Sequence, residues 1–379
     1  MLKKAVTVLI SLVVVCGILE MVLRTTHLFN ARVSWTEPDR DIGWRFTPGR
    51  EYWFFGENDH PITGRINSTG WRDKERTVET PASTYRIAVL GDSYVEAFQV
   101  ELDSTFCAIG ERALNAVHPP QFDHVEVMIF GRSGMSPSDE SFVLTRDVLP
   151  CQPDAVILLF TPHNDIADVN PATAADTERP FVDLERSGDN VVMDRSFTRR
   201  RGFRIRTAIN PLKQHSALVS LMAERYNVAR LARAQRRTEA PARLTRAQSL
   251  CTAHPDSVFA KNYALCQALI ESMAFECKSK GIRFVLASVP LVYEEAAFNR
   301  ARTLDVSFEP VYFDRTLGAL AESDGFAYVP MTAEFAFRSL KGVPLQWQHW
   351  SYQGHRAAAE ILLNPGSTSG APADSNATH

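Results

Sequence analysis

Residues 85–94 have the sequence YRIAVLGDSY, and this stretch decides the fold. Its first half, Arg86 to Leu90, is a short apolar run that stops at Gly91. Such a run, bounded by glycine, is typical of a strand buried on both faces of a parallel sheet. The polar residues Asp92 and Ser93 follow directly. We therefore expect a buried parallel strand with polar side chains at its carboxyl end.

The same alternation of short apolar strands and helical spacing continues along the chain. Further strands are predicted at 125–130, 155–160, 283–287 and 326–329, and helices at 104–117, 138–149, 258–279 and 355–363. Strands that alternate with helices favour a mostly parallel sheet covered on both faces. The prediction is a three-layer α/β/α, doubly wound fold with five strands.

Polar blocks follow three of these strands, and a fourth block precedes the last helix. They are Gly91–Tyr94, Gly131–Gly134, Thr161–Asp165 and His349–His355. Sites in doubly wound sheets lie beyond the carboxyl ends of the strands. The four blocks are therefore expected to meet in one site.

These blocks, taken in order, resemble the SGNH (GDSL-like) hydrolase superfamily, which is named for a Ser, a Gly, an Asn and a His. The matching positions are Ser93, Gly134, Asn164 and His349. The resemblance covers 85–169 and 260–364 and implies a flavodoxin-like sheet. It also implies that Ser93 is the nucleophile and His349 its base, without a metal ion or other cofactor. The backbone N–H groups of Ser93 and Gly134 and the Asn164 amide would form the oxyanion hole.

The chemistry of these residue types agrees with those roles. A serine hydroxyl is a weak nucleophile and needs a neighbouring base such as His349. Attack on an ester carbonyl places negative charge on its oxygen, and one well-placed donor lowers the barrier by about 3 kcal/mol. His163, beside Asn164, could contact substrate, and His355 is interpreted as structural.

One position departs from the family pattern. Members usually carry Asp two or three residues before the catalytic His, where this chain has Trp347 and Gln346. Gln346 could orient the ring by accepting a hydrogen bond. The alternatives are a Ser–His dyad, a carboxylate recruited from elsewhere in the chain, and an inactive binding protein.

The N-terminus predicts a membrane anchor over 1–24. Lys3 and Lys4 precede a charge-free run from Ala5 to Leu19, and the apolar stretch of roughly 20 residues is long enough to cross a bilayer. The two lysines favour a cytoplasmic N-terminus, which leaves the bulk extracytoplasmic, either periplasmic or extracellular. A cleaved signal peptide and a buried soluble helix remain alternatives.

Three other segments flank or interrupt the predicted domain. Residues 25–84 are expected to form an irregular lead-in, and 365–379, rich in Gly, Ser, Ala and Pro, a disordered tail. Residues 170–259 form a helical, Arg-rich insertion, with fourteen Lys/Arg against two acids from Arg195 to Arg246. It is interpreted either as a basic cap over the site or as a solvated face.

Composition limits the function classes. The 379 residues include 41 Lys+Arg and 44 Asp+Glu, a net charge of −3 that gives no support for nucleic-acid binding. Six cysteines are too sparse for a disulfide-built scaffold, although a bridge among Cys251, Cys266 and Cys277 stays open.

The expected function is a serine esterase or O-acyl (O-acetyl) transferase acting on acyl esters of an envelope or exported polysaccharide. The polysaccharide is suggested by residues 65–73, RINSTGWRD, which look like family members linked with cell-surface carbohydrate. Its partners would be the acylated carbohydrate, the membrane and polysaccharide-assembly proteins. The alternatives are a catalytically inactive polysaccharide-binding or assembly protein with the same fold, and a soluble lipase.

Overall fold

The computed structural model describes residues 2–26, 28–30, 32–117, 122–182, 192–235 and 243–363. The predicted tail, 365–379, lies outside these residues. The strands are β1 (Thr36–Asp39), β2 (Gly43–Phe46), β3 (Glu51–Phe54), β4 (Ile62–Arg65), β5 (Thr84–Gly91), β6 (His124–Gly131), β7 (Ala155–Phe160), β8 (Phe181–Val182), β9 (Met193–Asp194), β10 (Arg283–Ser288) and β11 (Ala327–Val329).

The first eight α-helices along the described chain are α1 (Leu2–Thr26), α2 (Ser93–Glu96), α3 (Phe106–Ala116), α4 (Pro137–Val143), α5 (Pro162–Asp168), α6 (Arg201–His215), α7 (Ala217–Gln235) and α8 (Arg246–Ser249). They are followed by α9 (Ser257–Ser279), α10 (Glu295–Leu304), α11 (Tyr312–Asp324), α12 (Thr332–Leu340) and α13 (Tyr352–Leu362).

The central sheet has the order β6-β5-β7-β10-β11, and all neighbouring strands are parallel. Counted along the chain, the five strands lie in the order 2-1-3-4-5, which is the flavodoxin-like doubly wound order. The predicted fold class is therefore confirmed. The order reverses between β5 and β7, where such folds place their ligands.

Apolar side chains cover the sheet on both faces: β5, β6, β7 and β10 are buried throughout their central residues, and the edge strand β11 is half-buried. One core joins the sheet to α4, α9 and α11 through Val143, Phe259, Leu269, Phe313 and Leu317. The opposite core joins it to α3, α12 and α13 through Phe106, Leu114, Phe335, Ala358 and Leu362. Burial of this kind stabilises by roughly 25 cal/mol per Å² of apolar surface.

The lead-in is more regular than predicted. Its strands form two antiparallel hairpins, β1–β2 and β3–β4. Aromatic side chains from these hairpins surround the buried ring of Phe98, just after α2. Their hydrophobic contacts dock the lead-in beside the end of β5, which explains why this glycine-rich and proline-rich stretch is ordered.

The N-terminal helix α1 is long and apolar enough to cross a membrane, a property that a signal sequence would share. Its last turn contacts α7, where Leu23 and Ala217 are buried together. The insertion also reaches the lead-in, since the backbone N–H of Ser34 donates to the carbonyl of Lys213 at 2.9 Å. These contacts place the α6–α7 part of the insertion beside α1 and the lead-in.

All six cysteines are free thiols, and all but Cys16 are buried.

Candidate active site

Ser93 lies where the sequence predicts, at the turn from β5 into α2. Asp92 caps this short helix, and its Oδ1 accepts a hydrogen bond from the backbone N–H of Tyr94 at 3.0 Å. A side chain at Gly91 would place a Cβ 2.7 Å from Val95 Cγ2, so the helix can cross the strand end only over glycine. The close crossing presents Ser93 at the edge of the sheet.

His349 reaches Ser93 from the segment before α13. Its Nε2 lies 2.8 Å from Ser93 Oγ, within the range expected of a nucleophile and its base. Two neighbouring residues hold this segment in place. Trp350 is fully buried, and the Ser351 side chain caps α13. Side chains from the turn after the first strand of the central sheet and from the segment before the last helix thus meet at this point.

The other ring nitrogen of His349 contacts a carboxylate that the sequence analysis did not identify. Glu57 Oε1 lies 2.5 Å from His349 Nδ1. Glu57 Oε2 accepts from the backbone N–H groups of His349 at 2.7 Å and Gln348 at 3.1 Å. With Nδ1 protonated toward Glu57, Nε2 is left to accept the Ser93 proton, which is the tautomer that base catalysis needs.

The environment stabilises a charged pair of Glu57 and His349. Burial acts to lower the pKa of His349, but the hydrogen bond to Glu57 and its negative charge outweigh burial and raise that pKa above its ordinary value. Burial likewise acts to raise the pKa of Glu57, and the hydrogen bonds from His349 and Gln348 reverse the effect and lower it. Both shifts favour an imidazolium next to a carboxylate.

Gln346 does not occupy the position proposed for it. Its Nε2 donates to the Gln348 carbonyl at 2.8 Å and to Tyr94 Oη at 3.3 Å, and its Oε1 accepts from Tyr293 Oη at 2.9 Å. The Nδ1 of His349 is bonded to Glu57 instead. This corrects the expectation that Gln346 orients the ring, because its amide is already engaged by other partners.

The loop between β3 and β4 carries Glu57 to the site. Asn58 Nδ2 donates to Tyr352 Oη at 3.0 Å, and His60 Nε2 lies 3.0 Å from Glu101 Oε1. Tyr352 Oη donates in turn to Glu101 Oε2 at 2.7 Å. These bonds attach the loop to Glu101 and to Tyr352, the first residue of α13.

Asn164 lies in the first turn of α5 and is tied to the nucleophile turn. Its Nδ2 donates to Asp92 Oδ2 at 2.8 Å. Asp92 therefore holds both the Ser93 helix and the Asn164 amide. Gly134 has a positive φ of 73°, a conformation that glycine adopts without strain, and a Cβ there would meet open space. Gly134 is half-buried.

A buried carboxyl supports the loop that carries Gly134. The backbone N–H of Ser133 donates to Glu96 Oε2. Burial raises the pKa of Glu96 to about 7. Because Glu96 is the last residue of α2, this bond connects the nucleophile helix directly to the Gly134 loop.

Rings line the rest of the site. Tyr94 packs edge-on against His349, with 5.0 Å between ring centroids, and against His163 at 6.1 Å. His163 is exposed. His355 is fully buried, and its Nδ1 accepts from the backbone N–H of Phe106 at 3.2 Å. Burial lowers the pKa of His355 to about 3, in agreement with a neutral structural residue.

Comparison with known proteins finds solved structures that resemble this chain, but no related protein by sequence. No protein-family profile matches the chain, and no curated protein matches it. The acetylxylan esterase Axe2 from Geobacillus stearothermophilus is 18% identical with a TM-score of 0.40, covering 74% of this chain and 92% of its own.

Two other solved structures give similar values. A G-D-S-L family protein from Desulfitobacterium hafniense is 12% identical with a TM-score of 0.36, over 73% of this chain and 99% of its own. An alpha/beta hydrolase from the metagenome of Lake Arreo is 15% identical with a TM-score of 0.39, over 75% and 95%. At this level of similarity, the chemistry of the site has to be argued from its own geometry.

Proposed function

We propose that this protein is a serine esterase or O-acyltransferase that works through Ser93, His349 and Glu57. The observation that carries the proposal is the position of the imidazole, which bridges Ser93 Oγ and the buried Glu57 carboxylate. A nucleophile, a base and a group that orients the base, each within hydrogen-bond distance of the next, form the general pattern of nucleophilic catalysis.

The proposed first half-reaction forms an acyl-enzyme. Ser93 Oγ transfers its proton to His349 Nε2 and bonds to the ester carbonyl carbon. The tetrahedral intermediate then collapses, the bond to the alcohol oxygen breaks, and His349 returns the proton to the departing hydroxyl group. Glu57 stabilises the imidazolium between these two transfers without becoming protonated.

The oxyanion would be held by the N–H groups of Ser93 and Gly134 and by Asn164 Nδ2. The open space beside Gly134 and the attachment of Asn164 to Asp92 support this assignment. Donors fixed in advance of the reaction stabilise developing charge without reorganisation.

In the second half-reaction, the acyl group passes to water in an esterase or to a sugar hydroxyl in a transferase. In both cases His349 Nε2 removes the proton from the acceptor, whose oxygen bonds to the acyl carbon, and returns that proton to Ser93 Oγ as the ester bond to Ser93 breaks. An acyl ester of an envelope or exported polysaccharide is the proposed substrate. An aromatic ring at the site supports a carbohydrate: Trp347, two residues before His349, is 40% exposed and can stack on a sugar ring.

For the cellular location, we propose that α1 remains as an anchor and the bulk of the chain lies outside the cytoplasm. The length and apolarity of α1 and the two lysines in its first turn support this orientation. An anchored, extracytoplasmic enzyme meets exported polysaccharide at the membrane surface, where assembly proteins would also be its neighbours.

The alternative of an inactive binding protein depended on the missing acid before His349. Since Glu57 contacts the ring from another part of the chain, that reason no longer favours it.

A phosphonate ester probe tests the proposal. It should label the wild-type protein covalently and fail to label Ser93→Ala, because only an activated serine attacks phosphorus. His349→Ala should lose most of the labelling. Absence of labelling in a folded wild-type protein, together with no acetate release from model esters, would reject the enzyme.

A further inference from the structure

The insertion is attached to the outer end of the anchor helix through Glu20. This carboxylate, one of the few charges in α1, accepts from Ser216 Oγ at 2.8 Å and from the backbone N–H groups of Ala217 at 2.8 Å and Leu218 at 3.0 Å. The first N–H groups of a helix have no partner within it. Glu20 therefore caps α7 from a different element, and the two helices are joined at a fixed point.

A second bond strengthens the junction. Arg24 Nη2 donates to the carbonyl of His215, the last residue of α6. Arg24 also pairs with Glu20 at 2.6 Å. Because both charges follow the charge-free run of α1, they lie at the level where a spanning helix leaves the bilayer core. The start of α7 must lie at that level too.

The apolar face of α7 begins at this junction and continues beyond it. Leu218 packs around the buried pair Leu23 and Ala217. Met222 and Tyr226 follow at intervals of four residues and so lie on the same face of the helix. They are 65% and 69% exposed. The apolar face of α7 thus packs on α1 at the junction. Beyond the junction, the same face continues with large apolar side chains that are exposed.

The part of the insertion that leads into this face is strongly basic in sequence. From Arg199 to Ala229 the chain has seven Lys/Arg and one acid, Glu224. Glu224 lies two residues after Met222, about 200° around the helix and therefore on the opposite side. Arg225 lies beside Tyr226 and is exposed. An apolar face with tyrosine and flanking arginine is the composition of a helix that lies in a membrane interface.

We propose that α7 lies on the bilayer that α1 spans, with Met222 and Tyr226 in the boundary between headgroups and acyl chains. The occupant of this face is the phospholipid surface, whose phosphates pair with the arginines of the insertion. The proposal rests on the anchoring proposed above. Its consequence is orientation: α6 is hydrogen-bonded to the lead-in through Lys213, so a membrane-bound α7 would hold the catalytic domain at a set angle to the membrane.

Labels on the full-length protein in lipid nanodiscs test the proposal. Single cysteines are introduced as Met222→Cys, Tyr226→Cys, Glu224→Cys and Phe275→Cys, with Cys16→Ala in every variant because the other native cysteines are buried. Glu224 is the control on the opposite face, and Phe275, 73% exposed on α9, is the control away from the insertion. An environment-sensitive fluorophore on each cysteine reports polarity, and doxyl-labelled lipid reports depth.

We expect blue-shifted, lipid-quenched emission at 222 and 226, and water-like, unquenched emission at 224 and 275. An interfacial helix buries its apolar face by about 5–10 Å, within reach of a lipid-borne quencher. Adding phosphatidylglycerol should increase the quenching at 222. Water-like emission at all four positions would overturn the proposal, and so would equal quenching at 222 and 224.

Two further readouts separate the causes of a negative result. Failure of the protein to enter nanodiscs at all would refute the anchor instead, and retained phosphonate labelling shows that each variant is folded.

Discussion

At the scale of single residues, the chemistry depends on one contact between distant parts of the chain. Glu57 and His349 are 292 positions apart, and the carboxylate binds both the ring and the backbone of its partner. A single side chain therefore sets the tautomer, the orientation and the charge preference of the base. The residues just before His349, Gln346 and Trp347, take no part in this contact, and the Trp347 ring packs edge-on against Tyr352.

Replacing Glu57 by Gln should lower kcat about 10³–10⁴-fold, as loss of the orienting acid does in serine hydrolases. The pH profile should also move. Catalysis requires neutral His349, so kcat/KM rises as the pH passes upward through the pKa of His349. Because Glu57 raises that pKa, its removal should shift the acidic limb of the profile to lower pH. Steady-state kinetics on a model acetyl ester across pH measures both effects.

Glu101→Gln is the matched control, since Glu101 hydrogen-bonds to His60 and Tyr352 near the site. It should retain the position of the acidic limb. An unchanged limb and near-normal kcat in Glu57→Gln would show that Glu57 is not the orienting acid.

Asn164→Ala should reduce kcat about 10²–10³-fold with little change in KM, the effect of removing one oxyanion donor. The reason is that the donor acts on charge that exists only in the transition state. The measurement is kcat and KM on the same ester. Asn170→Ala serves as the control. Asn170 follows the end of α5, and the substitution removes its hydrogen bond to Asn262. A loss confined to KM would assign Asn164 to substrate binding.

At the scale of elements, the lead-in hairpins pack on the α/β sheet and supply part of the candidate site. The β3–β4 loop supplies Glu57, and the segment after it supplies Arg72, which is fully buried. The Arg72 guanidinium donates to the carbonyls of Glu96 and Ala97 at 2.9 Å and of Val100. These carbonyls belong to the end of α2 and to the turn that follows it, where Ala97 has a left-handed φ of 54°. Arg72 therefore fixes the turn behind the nucleophile.

Arg72→Met should lower the free energy of unfolding by about 3–5 kcal/mol, because it leaves buried carbonyls without donors. Urea denaturation measures the change. Arg65→Met, which breaks only an exposed pair with Glu51, should change stability by less than about 1 kcal/mol. Equal, small effects of the two substitutions would contradict the role given to Arg72.

At the scale of the whole molecule, one α/β domain is surrounded by segments that come before it or interrupt it. The lead-in completes its site, and the α6–α7 part of the insertion connects it to the N-terminal helix. The net charge of −3 hides this division, because the basic charge is concentrated in the insertion.

An alkaline phosphatase fused to the C-terminus should be active in cells. The phosphatase folds only outside the cytoplasm, and the two N-terminal lysines favour export of the chain after α1. The fusion should stay in the membrane fraction after carbonate extraction and retain Met1–Thr26 by mass spectrometry. Replacing Lys3 and Lys4 by Glu is the control and should reduce phosphatase activity. A soluble product that lacks these residues would identify a cleaved signal peptide.

Much of the architecture follows from local sequence patterns. The five strands of the sheet lie within two residues of their predictions, since a buried strand requires a continuous apolar run whatever surrounds it. Helices such as α9 were predicted from their spacing. The helices α6, α10, α11 and α12 were not; α6 is basic and has Pro211 inside it.

The sequence by itself thus determined the sheet, the places of Ser93, Gly134, Asn164 and His349 at its edge, and an N-terminal segment long enough to cross a membrane. Those features depend on the periodicity of apolar residues and on short blocks of polar residues. Both are patterns formed by residues that are close together in the sequence. Only the tertiary structure decided which carboxylate contacts His349 and what the insertion contacts. Glu57 lies in the polar β3–β4 loop, which carries no motif, and the hairpin packing that brings it to the ring is a long-range contact that no local pattern records.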